Sequence, residues 1–505
     1  MYRKNKNTDL FKDLTQVVEV AAPQNYIPLY SRFLELNATN WNNVNLAHPE
    51  FLVSVTEAQG SYYTGVVSNE QTERKVDLFF KMSPLLDPCK YLTGNYQAYD
   101  FTLPTMEPHA FPKMSDVNNA AFTDGFFCYL TGQVLHDHGF KHGIRFYGSY
   151  LGIKQNYVYN VEEDLDSLLS SDFFSNNMGV LFKLNKDIPI PVSSSKYKHH
   201  LSIEDAPDLD LDVCELGCEA VSESPHTEPE VLDDLEKNST CSSNSSNTNE
   251  ELEDDQDLDE DDGDEVCAII DRFPVQVIAL ENLTNTLDSL MSTIKPAELT
   301  SALLQVIMTL IAYQKMFKFT HNDLHSNNVM FVETTDEYVC YCYENTSYRV
   351  PTYGRLFKII DFGRAIFTYA DKRFVSDSFS LEGDAATQYN LEPYFNPAKP
   401  PLEPNYSFDL CRLACSLMDV LPDTDDFDEL NSLFEEWCED DKRRNVLYKQ
   451  NGVERYPNFK LYKMIARTVH NHTPEAQLKR RLFNQFVVKK KKCTDVMNLD
   501  LLPGI

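Results

Sequence analysis

Several features that mark common classes of protein are scarce or missing in this chain of 505 residues. Its 45 Lys and Arg residues face 78 Asp and Glu residues, so the clustered positive charge that follows nucleic-acid phosphates is not expected. No uninterrupted apolar stretch approaches the roughly 18 residues of a membrane-spanning helix, and no signal-peptide core follows the basic start MYRKNKNTDLFKDL. The 12 cysteines include no paired CxxC motif, which argues against structural zinc. We expect a soluble, unsecreted protein without a nucleic-acid or membrane partner.

The negative charge is concentrated in one segment. Residues 203–265 hold 25 Asp and Glu against a single Lys, a net charge of −24 out of −33 for the whole chain. Such a segment buries too little apolar surface to offset its ordering entropy, so we predict a disordered insertion. It would keep the protein soluble or dock a basic partner.

Patterned sequence on both sides of the insertion predicts an α+β protein with two lobes. Residues 1–50 are assigned to an N-terminal extension. Apolar alternation predicts a small, strand-rich N-lobe over residues 51–285, interrupted by the insertion. Helical periodicity predicts a larger, helical C-lobe over 286–480, and residues 481–505 form a basic tail.

The stretch FTHNDLHSNNVMF, residues 319–331, carries more hydrogen-bonding side chains than a turn requires. It supplies His321, Asp323, Leu324 and Asn328 as H-x-D-L-x-x-x-N, and the strand LFKII downstream ends in D-F-G at Asp361. Both motifs in this order resemble the catalytic loop and D-F-G motif of protein kinases. By this resemblance, Asp323 accepts the proton of a substrate hydroxyl, while Asn328 and Asp361 hold Mg²⁺.

Upstream residues fit the nucleotide-binding part of the same pattern. The sequence GSYYTGVV matches G-x-G-x-x-G-x-V at Gly60, Gly65 and Val67, with Tyr62 at the second glycine. Lys81 ends the third predicted strand, where a kinase lysine would pair the α- and β-phosphates of ATP. Glu281 would lie at the hinge that presents backbone groups to adenine.

These residues resemble the protein-kinase superfamily over roughly residues 50 to 480. The combination of THNDLHSNNVMF with GRLFKIIDFGRAIF is similar to the kinase-like proteins of large nucleocytoplasmic DNA viruses, including iridoviruses and giant viruses. The resemblance implies a viral source, a bilobal kinase fold, ATP and Mg²⁺ as cofactors, and a protein substrate. It also implies a location in the host-cell cytoplasm and leaves packaging into virus particles open. Asp409 would brace the backbone of the catalytic loop.

The chain departs from an ordinary protein kinase at several positions. Asn322 replaces the loop Arg that often holds a phosphorylated activation segment, so we predict activity without such phosphorylation. His325 stands where protein kinases usually carry Lys, and D-L-H is common in small-molecule kinases of the aminoglycoside and choline type. Phe79 replaces the usual small residue over adenine. The helix after Lys81 lacks the usual Glu, and Asp124 is the candidate partner of that lysine.

Three hypotheses follow. The first is a serine/threonine protein kinase, the second is a pseudokinase that serves as a binding module, and the third is a small-molecule kinase. The residues for phosphoryl transfer are all present, which favours the first; Tyr62, Phe79 and the missing Glu favour the second. His325 favours the third.

Overall fold

The computed structural model describes residues 2–4, 7–60, 62–162, 164–186, 265–422, 424–457 and 460–504. The acidic insertion predicted at 203–265 lies outside the described residues, apart from Glu265. The strands of the described ranges are β1 (Tyr2–Lys4), β2 (Val20–Gln24), β3 (Val44–Leu46), β4 (Phe51–Gln59), β5 (Tyr62–Ser68), β6 (Glu73–Pro84), β7 (Phe146–Asn160), β8 (Phe182–Leu184), β9 (Cys267–Glu281), β10 (Asn285–Thr286), β11 (Val329–Glu333), β12 (Tyr338–Tyr343), β13 (Thr346–Pro351), β14 (Arg355–Ile359), β15 (Ile366–Tyr369), β16 (Lys372–Val375), β17 (Val487–Val488) and β18 (Val496–Asn498). The helices are α1 (Thr8–Gln16), α2 (Pro88–Leu92), α3 (Pro112–Ser115), α4 (Ala120–His138), α5 (Leu165–Leu169), α6 (Asp172–Asn177), α7 (Leu287–Leu290), α8 (Pro296–Phe317), α9 (Phe408–Met418), α10 (Asp428–Trp437), α11 (Lys460–Thr468), α12 (Pro474–Gln477) and α13 (Arg481–Asn484).

One antiparallel sheet carries the strands predicted before and after the acidic insertion. Its order is β2-β7-β9-β6-β5-β4, and β8 pairs with β9 outside this path. The two long strands β7 and β9 pair along most of their length. The chain before and after residues 187–264 therefore meets in one sheet. The mixture of helices and strands confirms the predicted α+β class.

Residues assigned to the N-terminal extension are integrated into this sheet. Strand β2 pairs with β7, and α1 buries Leu10 and Leu14 in the core. The backbone amide of Val55, in β4, donates a hydrogen bond of 3.0 Å to Oδ2 of Asp13. The described part of residues 7–50 therefore contributes to the same core as the strands that follow it.

Helix α4 lies against the sheet and corresponds to the helical pattern NNAAFTDGFFCYLTGQVLHDHG between β6 and β7. Asn119 caps its start by accepting a hydrogen bond from the amide of Ala121, and Gly139 ends it with a left-handed φ of 65°. Phe127, in the middle of the helix, stacks on Phe319 at 4.4 Å and packs against the ring of Phe362 at 4.7 Å. The helix therefore connects the sheet with both motifs of the candidate site.

Helix α8 has the bounds of the helical pattern PAELTSALLQVIMTLIAYQKMF and delivers the chain to the catalytic-loop motif. It has 22 residues and is about 33 Å long. It is the one helix of the described ranges that is long and apolar enough to cross a membrane, but 83% of its most apolar window is buried in the protein. This burial favours a core helix.

The part of the chain predicted as a helical C-lobe contains more strands than the sequence predicts. A hairpin of β12 and β13 belongs to a sheet of order β17-β13-β12-β18, which the sequence does not predict. Its two turn residues, Glu344 and Asn345, have φ of 47° and 59°, as a type I′ turn requires. Strands β17 and β18 come from the predicted basic tail, so residues 487–498 are part of the fold.

Candidate active site

The polar loop between α8 and β11 is held by one buried carboxylate. Asp409, in the first turn of α9, accepts hydrogen bonds of 2.9 Å from the backbone amides of both His321 and Asn322. Burial raises the pKa of Asp409, although these two bonds favour the charged form. Asn322 has a left-handed φ of 65°, which a fixed loop can maintain. The predicted role of Asp409 in bracing the loop backbone is confirmed.

Lys81 lies between two carboxylates. Its Nζ is 2.7 Å from Oδ2 of Asp124 and 2.9 Å from Oδ1 of Asp361. Burial alone would lower the pKa of Lys81, but the charges of the two aspartates raise it above its ordinary value. Burial alone would raise the pKa of Asp361, but Lys81 lowers it. Lys81 and Asp361 therefore stay charged at neutral pH, and the predicted ion pair between Lys81 and Asp124 is confirmed.

Asp124 connects three parts of the chain. Its side chain is 2% exposed. Besides Lys81, Oδ2 accepts a hydrogen bond of 3.1 Å from the hydroxyl of Ser83, on β6. Oδ1 accepts a hydrogen bond of 2.9 Å from the backbone amide of Phe362, in the D-F-G motif. One aspartate thus fixes helix α4, strand β6 and the D-F-G motif relative to one another.

Asn328 presents its amide oxygen away from the loop. Its Nδ2 donates a hydrogen bond of 2.9 Å to the backbone carbonyl of Asp323, and since a carbonyl can only accept, this bond fixes the orientation of the amide. Nδ2 also lies 3.0 Å from Nε2 of His325, which must accept and is therefore unprotonated. Burial lowers the pKa of His325, consistent with a neutral ring. The unusual histidine of this loop thus helps to orient Asn328.

Both carboxylate oxygens of Asp323 have partners. Oδ2 lies 3.1 Å from Nη1 of Arg364, and Oδ1 accepts a hydrogen bond of 2.8 Å from the hydroxyl of Tyr462. Burial alone would raise the pKa of Asp323, but neighbouring positive charge, mainly that of Arg364, lowers it well below the ordinary value. Asp323 is therefore ionised, and its side chain is only 16% exposed.

A cavity of about 1970 Å³ adjoins these groups. One wall is the segment from Glu281 to Thr286, which follows β9. The amides of Glu281 and Thr284 donate to the carbonyls of Arg145 and Phe331. Within the described residues, the amides of Asn282 and Leu283 donate to no protein atom. Around the candidate site the cavity is lined by Phe79, Lys81, Leu280, Asn328, Met330, Ile360 and Asp361.

This donor set fits a magnesium-bound nucleotide. Carboxylate and amide oxygens are suitable ligands for Mg²⁺, and both Asp361 and Asn328 line the cavity. Over the ranges that the structure describes, no group of three or more His, Cys, Asp or Glu side chains is arranged for a metal. A cation here would therefore depend on one carboxylate, one amide and the phosphates of the nucleotide. The ammonium of Lys81 is the matching group for a phosphate.

The glycine-rich hairpin does not reach this cavity. Gly60, with φ of 58°, lies at the turn between β4 and β5. A Cβ at Gly65 would come within 2.7 Å of the backbone carbonyl oxygen of Ser54, so packing alone requires glycine there. Val67 is buried in the hydrophobic core. In the described part of the chain, none of the three lines the cavity. Their contact with a nucleotide stays a prediction, and the structure gives each a packing or turn role.

Glu281 lies at the cavity, where the sequence predicts the hinge. Its Oε1 is 2.5 Å from Nζ of Lys358 and accepts a hydrogen bond of 2.7 Å from the amide of Arg145. Its side chain is thus used within the protein. Backbone contact between this segment and adenine stays a prediction, with Asn282 and Leu283 as the available donors.

The segment after the D-F-G motif is tied to the catalytic-loop motif by fixed polar contacts. Oδ1 of Asn322 accepts a hydrogen bond of 2.6 Å from the hydroxyl of Tyr389, and its Nδ2 donates one of 2.9 Å to the carbonyl of Arg364. The guanidinium of Arg364 forms an ion pair with Asp384. At Asn322, a neutral side chain thus joins the loop to this segment.

Sequence reasoning missed Arg364, Asp384 and Tyr462. Arg364 directly follows the D-F-G motif, so its position alone could have suggested a contact with the loop. Tyr462 contacts Asp323 across 139 residues, and no local pattern points to it.

The geometry around Lys81, Asp323, Asn328 and Asp361 is thus the basis on which a function can be assigned. No protein-family model matches this chain, and no curated protein is significantly similar to it in sequence.

Proposed function

We propose that this protein is an ATP-dependent phosphotransferase with a kinase-like active site, most simply a serine/threonine protein kinase. The observation that carries the proposal is the position of Lys81 between Asp124 and Asp361, beside a cavity that Asn328 also lines. A lysine on a strand, paired with an acidic residue of the next long helix and close to the D-F-G aspartate, is the arrangement that kinases use to hold phosphates and metal.

Each residue has a role that its contacts support. Lys81 binds the phosphates of ATP, and Asp361 and Asn328 hold Mg²⁺ through their oxygens. MgATP supplies the phosphoryl group when it is bound. Asp323 orients the acceptor hydroxyl and takes its proton, a role for which an ionised carboxylate is required. Positioning and charge neutralisation account for most of the catalysis in this class of reaction.

The proposal extends to origin and partners. The catalytic-loop and D-F-G sequences support membership among the kinase-like proteins of large DNA viruses, with a protein substrate in the host-cell cytoplasm. The predicted docking of a basic partner falls on residues 203–264, outside the described ranges.

The decisive experiment compares phosphate incorporation into a mixed protein extract by the wild type and by Asp323→Asn. We expect labelling by the wild type only, while both proteins are stabilised by MgATP in thermal unfolding, because Asp323 lies outside the cavity lining. Equal labelling by the two proteins would indicate a contaminating kinase and contradict the proposal.

One observation favours the pseudokinase as a second candidate. Asp323 is engaged by Arg364 and Tyr462 on both oxygens, so an acceptor hydroxyl would have to compete with these partners in this conformation. A nucleotide-binding module without transfer would show MgATP-dependent stabilisation in both proteins and labelling by neither.

A further inference from the structure

The hydroxyl of Tyr462 lies where an acceptor hydroxyl would have to act. It donates its proton to Oδ1 of Asp323 at 2.8 Å and accepts a hydrogen bond of 2.9 Å from Nε of Arg412. A tyrosine hydroxyl has a single proton, so this donor is fully used by the carboxylate. The contact is the one that general-base catalysis requires of a substrate hydroxyl.

The ring of Tyr462 is held firmly in this position. The guanidinium carbon of Arg412 lies 5.2 Å from the ring centroid and that of Arg364 lies 5.8 Å from it. The ring of Phe408 packs against it at 6.2 Å. The remaining carboxylate oxygen of Asp323 is bound by Arg364, so an incoming hydroxyl would compete with one of these partners for the carboxylate.

The extent of the cavity agrees with this arrangement. It reaches Asn327, Asn328, Asp361 and Asp384, but neither Asp323 nor Tyr462 belongs to its lining. The cavity lining therefore includes the groups proposed for nucleotide and metal but not the proposed base, whose side chain is 16% exposed.

We propose that Tyr462 occupies the acceptor-hydroxyl position at Asp323 and thereby determines which hydroxyl reaches the base. This inference rests on the proposed phosphotransferase function and adds an acceptor-side residue to it. An acceptor hydroxyl competes with the Tyr462 hydroxyl for Oδ1, so a variant that keeps the ring but lacks the hydroxyl will admit small acceptors more readily.

Water is the acceptor that tests this without knowledge of the natural substrate. In that reaction the water oxygen bonds to the γ-phosphorus as the bond to the β–γ bridging oxygen breaks, ADP leaves with that electron pair, and Asp323 takes the water proton. We expect Tyr462→Phe to raise kcat for MgATP hydrolysis roughly three- to tenfold, the size of effect that one hydrogen bond can produce. The KM for ATP should stay within about twofold, since Tyr462 lies outside the cavity lining.

Matched variants separate the outcomes. Tyr448→Phe removes another tyrosine hydroxyl that is bound to an aspartate, Asp419, at 3.1 Å, and should leave hydrolysis unchanged. The double variant Asp323→Asn, Tyr462→Phe should lose the gain, since the gain requires the base. Tyr462→Leu is a second variant without the hydroxyl and should also raise kcat, so it replaces Tyr462→Phe if that protein folds poorly. Thermal unfolding checks the folding of every variant.

Two results would overturn the inference, and they differ in what else they remove. Asp323-dependent hydrolysis that is unchanged or slower in Tyr462→Phe would mean that Tyr462 merely supports Asp323, and the proposed function would stand. If every protein hydrolyses MgATP only as slowly as Asp323→Asn, while MgATP still raises the melting temperature, the proposed function and this inference are both wrong.

Discussion

Replacing Asp124 by Asn tests the central ion pair of the candidate site. The substitution keeps the shape of the side chain but removes its charge. The asparagine oxygen can still accept from the amide of Phe362, so its NH₂ group must then face Lys81, which can only donate, and the hydroxyl of Ser83, which can turn to accept. The ion pair with Lys81 is thus replaced by a donor-to-donor contact at a side chain that is 2% exposed.

The expected magnitude follows from what Lys81 retains. Removing one partner of a buried ion pair costs about 3–5 kcal/mol when it leaves an uncompensated charge. Lys81 keeps Asp361 at 2.9 Å, so its charge remains partly compensated. We therefore expect Asp124→Asn to lower the free energy of unfolding by about 2–3 kcal/mol, the range of one or two hydrogen bonds to a charged group. MgATP should also stabilise the variant less than the wild type, because α4 and the D-F-G motif lose their shared anchor.

Lys141 provides a control at the surface, where one lysine is likewise paired with two aspartates. Its Nζ also pairs with two aspartates, Asp336 at 2.8 Å and Asp495 at 2.7 Å, but their side chains are 50% and 77% exposed. Asp336→Asn should therefore change stability by at most about 1 kcal/mol. Urea denaturation gives both values. Equal effects of Asp124→Asn and Asp336→Asn, with unchanged stabilisation by MgATP, would refute the argument that Asp124 holds the site together.

Two further predictions concern phosphorylation and pH. Treatment with phosphatase should change phosphate transfer less than twofold, because Asn322, Tyr389 and the Arg364–Asp384 ion pair already fix the segment after D-F-G; a large loss would contradict this. His142 is fully buried between the carbonyl of Phe357 and the hydroxyl of Tyr341, and burial lowers its pKa from 6.5 to about 4. Between these two pKa values the unfolded chain binds more protons, so stability falls as the pH falls. Between pH 7 and pH 5 the free energy of unfolding should therefore fall by about 2 kcal/mol because of His142. Urea denaturation of His142→Gln should lack this part of the pH dependence.

Local patterns in the sequence predict the elements of the site well. Helix α8 begins and ends where its apolar pattern does, between Pro296 and Phe317. Asp124 is identified as the partner of Lys81 because it lies on the helix that follows that strand. The role of Asp409, in contrast, is predicted from the resemblance to kinases, because the backbone amides that it binds lie 87 and 88 residues away in the chain.

The parts that the sequence does not predict depend on contacts between distant segments. The hydroxyl of Tyr462 and the carboxylate of Asp323 meet through the packing of α11 against α9, and periodicity carries no information about that. The β12–β13 hairpin is stabilised by β17 and β18 from the other end of the chain. The bilobal kinase fold and the nucleotide contacts of Gly60, Gly65 and Val67 stay predictions.

The position of Asp124 depends on residues that the sequence assigns to an extension. The ring of Phe33 stacks on that of Phe126, two residues beyond Asp124, with centroids 5.0 Å apart. The ring of Phe126 also lies 5.1 Å from that of Phe374 on β16. The guanidinium of Arg32 lies 4.2 Å from the Phe374 centroid and donates a hydrogen bond of 2.8 Å to the carbonyl of Arg373. The segment around Phe33 therefore fastens α4 to the hairpin that follows the D-F-G motif. Because these contacts are intramolecular and mostly apolar, they form when the chain folds, and we therefore expect the geometry around Lys81 to need no phosphorylated activation segment held at position 322.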